Sequence, residues 1–127
     1  MTYNGYGGEG KQVRDVLNVD DLVELITDQI KNFELYRNQT FNAGGGAKNT
    51  ISLVELTKMC QTITGNKISI TPGEQRVGDL NIYCTDNSEV EKINGWKPQK
   101  NIQDILRDQF KWISDYQDIL GPLFFTS

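Results

Sequence analysis

The sequence has 127 residues, of which 37% are hydrophobic and 24% are charged. This length suits one domain or a piece of a larger one, and the apolar content is enough for a modest core. The formal net charge of −4 argues against binding to a nucleic-acid backbone, although two well-placed arginines could still hold a phosphate. No apolar run is long enough for a membrane span, and we expect a cytoplasmic protein.

Several residue sets that carry chemistry are missing from the sequence. It contains no histidine, which is the commonest general base and metal ligand. It has no G-x-x-G-x-x-G fingerprint opening a βαβ unit, no Ser/His/Asp set and no Tyr-x-x-x-Lys pair. Cys60 and Cys84 lack metal-like spacing, and Cys60 falls in a helical apolar pattern that favours a buried thiol. The sequence therefore predicts no catalytic, metal or dinucleotide site in this chain.

The first half of the chain predicts two strands and a helix. Residues 1–10 are rich in glycine and tyrosine and predict a loop, and residues 12–19 alternate as in a short strand followed by a turn. Asp20 is the expected N-cap of the first helix. The apolar residues of that helix recur at helical spacing and form one stripe: Leu22, Val23, Leu25, Ile26, Ile30 and Phe33. Residues 38–43 predict the next strand.

The second half completes the predicted order β-α-β-α-β-β-α-α. Ser52 and Glu55 have the spacing of a capping box, and the helix that they begin is expected to end at Gly65. Residues 67–71 and 80–84 predict two strands, the first closed by Pro72 and Gly73.

Two further helices follow these strands. Asp86 is a candidate cap for a short helix through Ile93 that ends near Gly95, and Asn101 is expected to begin the last helix. The apolar face of that helix comprises Ile102, Ile105, Leu106, Phe110, Ile113 and Tyr116. We assign residues 1–120 to one region, and the apolar tail 121–127 fits no predicted element.

Three consecutive glycines, Gly44, Gly45 and Gly46, follow a predicted strand and precede a helix. This arrangement superficially suggests phosphate binding. The spacing differs from the dinucleotide fingerprint, however, and no acidic residue stands about twenty positions on at a strand end. A tight turn between strand and helix is the favoured interpretation.

The arginines are the best candidates for a binding site. Arg14 stands where a glycine-rich loop meets a strand, and Arg76 stands just before a strand, so both lie on loops, where binding residues concentrate. A planar guanidinium can hold a diphosphate through two hydrogen bonds. Arg107 lies within the last helix and Arg37 in a polar turn. From the residues alone, Arg14 and Arg76 can equally be surface arginines.

Five motifs, in order and with matching spacing, resemble those of the extended short-chain dehydrogenases/reductases, which include NAD-dependent sugar-nucleotide epimerases and dehydratases. The motifs are residues 10–22 (GKQVRDVLNVDDL), 41–46 (FNAGGG), 52–56 (SLVEL), 76–80 (RVGDL), and 86–88 with 95–98 (DNS and GWKP). The resemblance covers nearly the whole chain, from Tyr3 to Trp112. Within the family, residues 10–15 look most like those of the CDP-paratose 2-epimerases, also called CDP-tyvelose epimerases.

The resemblance implies a site for a nucleotide-diphosphate sugar. Arg14 and Arg76 would contact the diphosphate from two sides, and Asp79 would reach the ribose or the base edge. Gln12 would assist, and the nucleobase would lie along the edge strand that contains Tyr3.

The resemblance also implies the fold class, which is α/β: the carboxy-terminal part of a Rossmann-like protein with a small α/β substrate-binding lobe. Residues 42–46 would close the parallel sheet of the cofactor domain. The strands at 67–71 and 80–84 and the last helices would form the lobe. Asn18 stands where the family usually has a histidine that supports the fold.

In the family, the cofactor-binding glycine loop and the catalytic serine, tyrosine and lysine precede the segment where this chain begins. We therefore expect a truncated gene or a fragment that binds a nucleotide-diphosphate sugar but is not active alone. NAD is implied for the full-length enzyme, and no cofactor is expected for this chain. The alternative is a free-standing, non-catalytic nucleotide-sugar binding or dimerisation module, and exposed helix and sheet faces would favour a homo-oligomer.

Overall fold

The computed structural model describes residues 1–124 as a mixed α/β chain, as the sequence predicts. Its strands and helices are β1 (Thr2–Asn4), β2 (Val13–Asp15), α1 (Val19–Lys31), α2 (Phe33–Tyr36), β3 (Thr50–Ser52), α3 (Leu53–Thr64), β4 (Thr71–Gly73), α4 (Ser88–Asn94), α5 (Ile102–Asp115) and α6 (Gln117–Phe124). Single turns of 3-10 helix occur at Tyr6–Gly8 and Ala47–Asn49. Among these described helices, none combines the length and apolarity that crossing a bilayer requires.

The strands form two separate pairs. β1 and β4 run parallel, with Tyr3 opposite Pro72. β2 and β3 run antiparallel, with Arg14 opposite Ile51. Val13 also makes an isolated parallel bridge to Ile82, so that β2 lies between β3 and the segment that follows the Arg76 loop.

Most of the predicted strands have a counterpart near the predicted position, but the bounds of that counterpart differ. Residues 1–10 hold β1 in addition to the predicted loop, and the strand predicted at 67–71 lies instead at Thr71–Gly73. The strand predicted at 80–84 is reduced to the bridge at Ile82. The strand predicted at 38–43 is wrong, because no described strand lies beside this segment to supply ladder hydrogen bonds.

The helix ends follow their capping residues. Asn18, and not the predicted Asp20, is the N-cap of α1, since its side chain accepts a hydrogen bond from the Asp20 N–H at 2.7 Å. The capping box of Ser52 and Glu55 is confirmed at the start of α3. Asn101 caps α5 as predicted. Asn87 occupies the N-cap position of α4 without a side-chain hydrogen bond, and the predicted Asp86 accepts the N–H of Ser88, the first residue of the helix, at 2.9 Å.

The core is small and lies where α1, α2 and α4 meet. Its buried residues are Leu25, Tyr36, Val90 and Trp96, against which Leu17, Phe41, Ala43 and Ile93 pack. Leu25 is the residue of the predicted α1 stripe that is buried; Val23, Ile26, Ile30 and Phe33 are exposed, Ile30 by 74%. Cys60 is half-buried and not fully buried as expected.

The apolar tail does not match the prediction within the described residues. Residues 121–124 belong to α6, which contains Pro122 and contacts α5. Proline removes one backbone donor but is compatible with a helix in its first turns or where a kink is tolerated. Residues 125–127 of the predicted tail lie outside the described residues.

Candidate functional site

Three of the predicted site residues meet at one place. Arg14 Nη2 donates to Asp79 Oδ1 at 2.9 Å, and Gln12 Nε2 donates to Asp79 Oδ2. Gln12 directly precedes β2 and is separated by one residue from Arg14, so that both side chains reach Asp79 from the same side of the chain. The contact between Arg14 and Asp79 thus joins two segments that are 65 residues apart in the sequence. With Arg76, these residues are called the arginine cluster below.

The turn that begins at Arg76 presents Asp79 to Arg14. The Asp79 N–H donates to the Arg76 carbonyl at 3.2 Å, closing a tight turn. Gly78 in this turn has a φ of 80°, a conformation that glycine adopts at little energetic expense. The Arg76 side chain is exposed, and no ion pair involves it among residues 1–124. The turn therefore connects Arg76 to Asp79 through the backbone, and the binding role of the exposed Arg76 side chain stays a prediction.

Tyr3 lies beneath this surface. Its side chain is 3% exposed, and a Cβ atom at Gly10 would come within 2.6 Å of the ring. Within the described chain its hydroxyl has no hydrogen-bond partner. The Tyr3 side chain is therefore packed inside the chain, and the role of Tyr3 in binding stays a prediction.

Beside the arginine cluster runs a shallow depression of about 480 Å³. It is lined by residues of the first loop and of β4 with the turn that follows: Gly5, Tyr6, Gly7, Pro72, Gly73, Glu74 and Gln75. Gln75 adjoins Arg76, and a Cβ atom at Gly5 would lie 3.3 Å from Gln12 Nε2. The depression therefore lies near the cluster and is bordered by β4, the partner strand of β1, although no cluster residue lines it.

Asp15 is a residue of this region whose role the sequence did not reveal. Its Oδ2 accepts the Gly46 N–H at 2.9 Å, which ties β2 to the glycine run. Burial by itself would raise the pKa of Asp15, but hydrogen bonds from Gly46 and Thr85 outweigh it and lower the pKa. The available signal in the sequence was a carboxylate directly after Arg14, within the segment predicted as a strand and turn. Asp15 fixes the end of the strand that carries Arg14.

The glycine run is a tight turn and not a phosphate cradle. The Gly44 N–H donates to Asn87 Oδ1 at 3.0 Å and the Gly46 N–H donates to Asp15, so neither is available to an anion. At Gly45 a Cβ atom would lie 2.1 Å from the Val16 carbonyl, which explains why glycine is needed there. These two N–H groups of the glycine run are therefore not available to a dinucleotide phosphate, and we assign no hydride-transfer step to the described residues.

A larger cleft, of about 800 Å³, opens elsewhere, and no member of the arginine cluster lines it. Its walls include Gly46, Asn49, Thr85, Lys97 and Lys100 among sixteen residues. Lys97 pairs with Glu91 at 2.6 Å, and Lys100 pairs with Asp20 and with Asp108. Lys48 also lines the cleft, whereas no lysine or arginine among the described residues lines the smaller depression.

The chain resembles parts of longer curated proteins. It is 30% identical over 107 residues to CDP-paratose 2-epimerase of Salmonella typhi, an alignment that covers 84% of this chain and 32% of that protein. It is 34% identical over 108 residues to UDP-glucose 4-epimerase 4 of Oryza sativa subsp. japonica, covering 84% of this chain and 29% of that protein. The chain spans about a third of the length of these relatives. No protein-family model matches it.

Solved structures confirm the Rossmann-like fold predicted from the sequence. UDP-glucose 4-epimerase of Bifidobacterium longum, solved in complex with NAD⁺ and UDP, matches 92% of this chain and 35% of that chain with a TM-score of 0.73 and 24% identity. dTDP-glucose 4,6-dehydratase of Bacillus anthracis str. Ames, solved in complex with NAD, matches 96% of this chain and 37% of that chain, with a TM-score of 0.74 and 21% identity.

Proposed function

Since the chain has the sequence and fold of the carboxy-terminal part of an extended short-chain dehydrogenase/reductase, we propose that it supplies the part of such an enzyme that binds the nucleotide-diphosphate sugar. The observation that carries this proposal is the meeting of Gln12, Arg14 and Asp79 beside the Arg76 turn. Arg14 in β2 and Arg76 at the start of the adjoining turn provide the charge-assisted donors that a diphosphate requires.

Each residue of the site has a proposed role. Arg14 and Arg76 hold the diphosphate, and Gln12 assists them. Asp79 meets the ribose or the base edge, and the nucleobase lies along β1, whose strand contains Tyr3. The depression lined by Gly5 and Gln75 supports a ligand in this region, because Gly5 lies close to Gln12 and Gln75 adjoins Arg76. Catalysis and NAD binding would belong to segments outside this chain, so the chain alone is expected to be inactive.

Calorimetric titration of the purified chain with CDP-, UDP- and dTDP-sugars tests the proposal. Replacing both Arg14 and Arg76 by alanine removes charge-assisted hydrogen bonds worth about 1.5–3 kcal/mol each, so affinity should fall about tenfold or more for each arginine. The matched control replaces Arg37 and Arg107 by alanine, which removes the same charge from α5 and from the loop after α2. Absence of binding to the unmodified chain at millimolar ligand would contradict the proposal.

A second candidate is a dimerisation module that has lost catalysis. It is favoured by the apolar side chains that α1 and the first residue of α2 expose at intervals of three and four residues: Val19, Val23, Ile26, Ile30 and Phe33. Sedimentation equilibrium discriminates the candidates, since a monomer that binds UDP-sugars supports the first and a dimer without nucleotide binding supports the second. A cytoplasmic location is part of both proposals.

A further inference from the structure

Asp79 is already engaged by the chain itself. Both of its carboxylate oxygens accept hydrogen bonds, Oδ1 from Arg14 and Oδ2 from Gln12. Its side chain is 25% exposed, compared with 40% for Arg14. A carboxylate held on both oxygens and mostly covered is better placed to orient its neighbours than to serve chiefly as a ligand contact.

Gln12 stabilises the position of the Asp79 carboxylate. Gln12 is 9% exposed, and its side-chain amide donates to Asp79. If Asp79 turned away, the buried amide would lose its acceptor, which is unfavourable because an unsatisfied buried donor keeps its full desolvation penalty. The position of Asp79 is therefore fixed from the buried side by Gln12.

Two hydrogen-bond acceptors orient the Arg14 guanidinium. Nη1 donates to the Val13 carbonyl at 2.7 Å, and Nη2 donates to Asp79 at 2.9 Å. A guanidinium has five donors in one rigid plane, so two fixed contacts define the plane and leave the remaining donors for a ligand. Donors that are oriented before binding lose less conformational entropy when the ligand arrives.

We propose that Asp79 is a positioning residue, whose carboxylate, anchored by Gln12, holds the Arg14 guanidinium in the orientation that receives a diphosphate. This inference rests on the proposed function and deepens it. It adds to the ribose contact assigned to Asp79, because a carboxylate has lone pairs beyond the two used by Arg14 and Gln12.

The direction in which the affinity for pyrophosphate changes when Asp79 is replaced distinguishes a positioning role from a purely electrostatic one. Asp79 carries a negative charge next to the proposed diphosphate site, so by Coulomb's law its removal should strengthen anion binding. Positioning predicts the opposite, since a released Arg14 must be ordered again at each binding event. Inorganic pyrophosphate is the suitable probe, because it has the diphosphate group and no ribose that Asp79 could contact.

The experiment compares pyrophosphate and UDP binding to the full chain and to Asp79→Ala, Asp79→Asn and Asp118→Ala. We expect Asp79→Ala to weaken pyrophosphate binding about fivefold, and Asp79→Asn, which keeps the acceptor oxygen, to weaken it less. Asp118→Ala removes the same charge from α6 and should not weaken it. Unchanged or tighter pyrophosphate binding in Asp79→Ala, with UDP binding alone reduced, would overturn positioning and leave only a ribose contact.

A second measurement needs no ligand and keeps the inference testable if Asp79→Ala folds poorly or if neither ligand binds. Nuclear magnetic resonance of the Arg14 side chain in the unliganded chain should show slow guanidinium rotation, which Asp79→Asn accelerates and Asp118→Ala does not. Fast rotation of Arg14 in the unmodified chain would overturn positioning. Failure of both ligands to bind contradicts the proposed function instead, so the two failures are distinguishable.

Discussion

In the core around α1, Leu25 and Val90 are 1% and 0% exposed, whereas in the arginine cluster Arg14 keeps 40% of its side chain exposed. The core is held by the burial of apolar surface, which has no preferred direction. The cluster is held by directional hydrogen bonds: the side-chain bonds to Asp79, the pairing of β2 with β3, and the backbone bonds that join Val13 to Asn81 and Tyr83. We therefore expect a substitution in the core to lower stability without changing the affinity of the arginine cluster for UDP.

The largest effect is expected from Leu25→Ala. Removing a completely buried leucine side chain leaves a cavity and lowers the free energy of unfolding by about 2–5 kcal/mol. Chemical denaturation followed by circular dichroism measures this loss. Under conditions where the variant is folded, its affinity for UDP should equal that of the unmodified chain. Reduced affinity in the folded variant would show that the core and the cluster are coupled.

A smaller effect, which disappears at alkaline pH, is expected from Tyr36→Phe. Burial of Tyr36, together with its hydrogen bond to Asp28, raises the pKa of the Tyr36 hydroxyl from 10.0 to about 12. Because the pKa in the folded state lies above the unfolded value, the stabilisation is complete below pH 10 and is lost as pH rises towards 12.

The measurement is the difference in the free energy of unfolding between the unmodified chain and Tyr36→Phe as a function of pH. Lysines whose pKa values are raised also titrate at high pH, and the difference removes their contribution because both proteins contain them. The difference should shrink between pH 10 and 12. A constant difference over that range would refute the role assigned to the Tyr36 hydroxyl.

The smallest effect is expected from Ser52→Ala at the start of α3. This change removes the cap of the Glu55 N–H and lowers stability by about 1 kcal/mol. Ser52 also ends β3, opposite Val13, so it lies close in the fold to the strand of Arg14. Thermal unfolding measures the loss of stability, with Ser114→Ala on the exposed part of α5 as the control. Unchanged UDP affinity is expected, and a loss of affinity would connect the α3 cap to the site.

The helices could be predicted from the sequence because their signals are local. Ser52 with Glu55, and Asn101 ahead of its apolar pattern, satisfy backbone donors within one turn of themselves. The cap of α1 was missed because Asn18 and Asp20 are both good capping residues two positions apart, and only the backbone conformation selects Asn18. Which apolar residues of α1 are buried was also not predictable, since it depends on the neighbouring elements.

The strands and the site could be predicted less well because both depend on distant partners. Residues 38–43 have an extended-strand composition but no adjacent strand in residues 1–124, whereas Thr71–Gly73 pairs with β1 despite containing proline. Gln12 and Arg14 were selected through the family resemblance, and nothing local in the sequence indicates that they meet Asp79. The contact of Asp15 with Gly46 was missed for the same reason.

The most direct test of the proposed site is a ¹⁵N chemical-shift titration of the chain with UDP, because it locates the ligand without any substitution. If UDP binds at the arginine cluster, we expect the largest shifts at the backbone of Gln12 and Arg14 and in the Arg76–Asp79 turn, with smaller ones along β1. Shifts concentrated instead at Asn49, Thr85 and Lys97 would place UDP in the larger cleft and contradict the account.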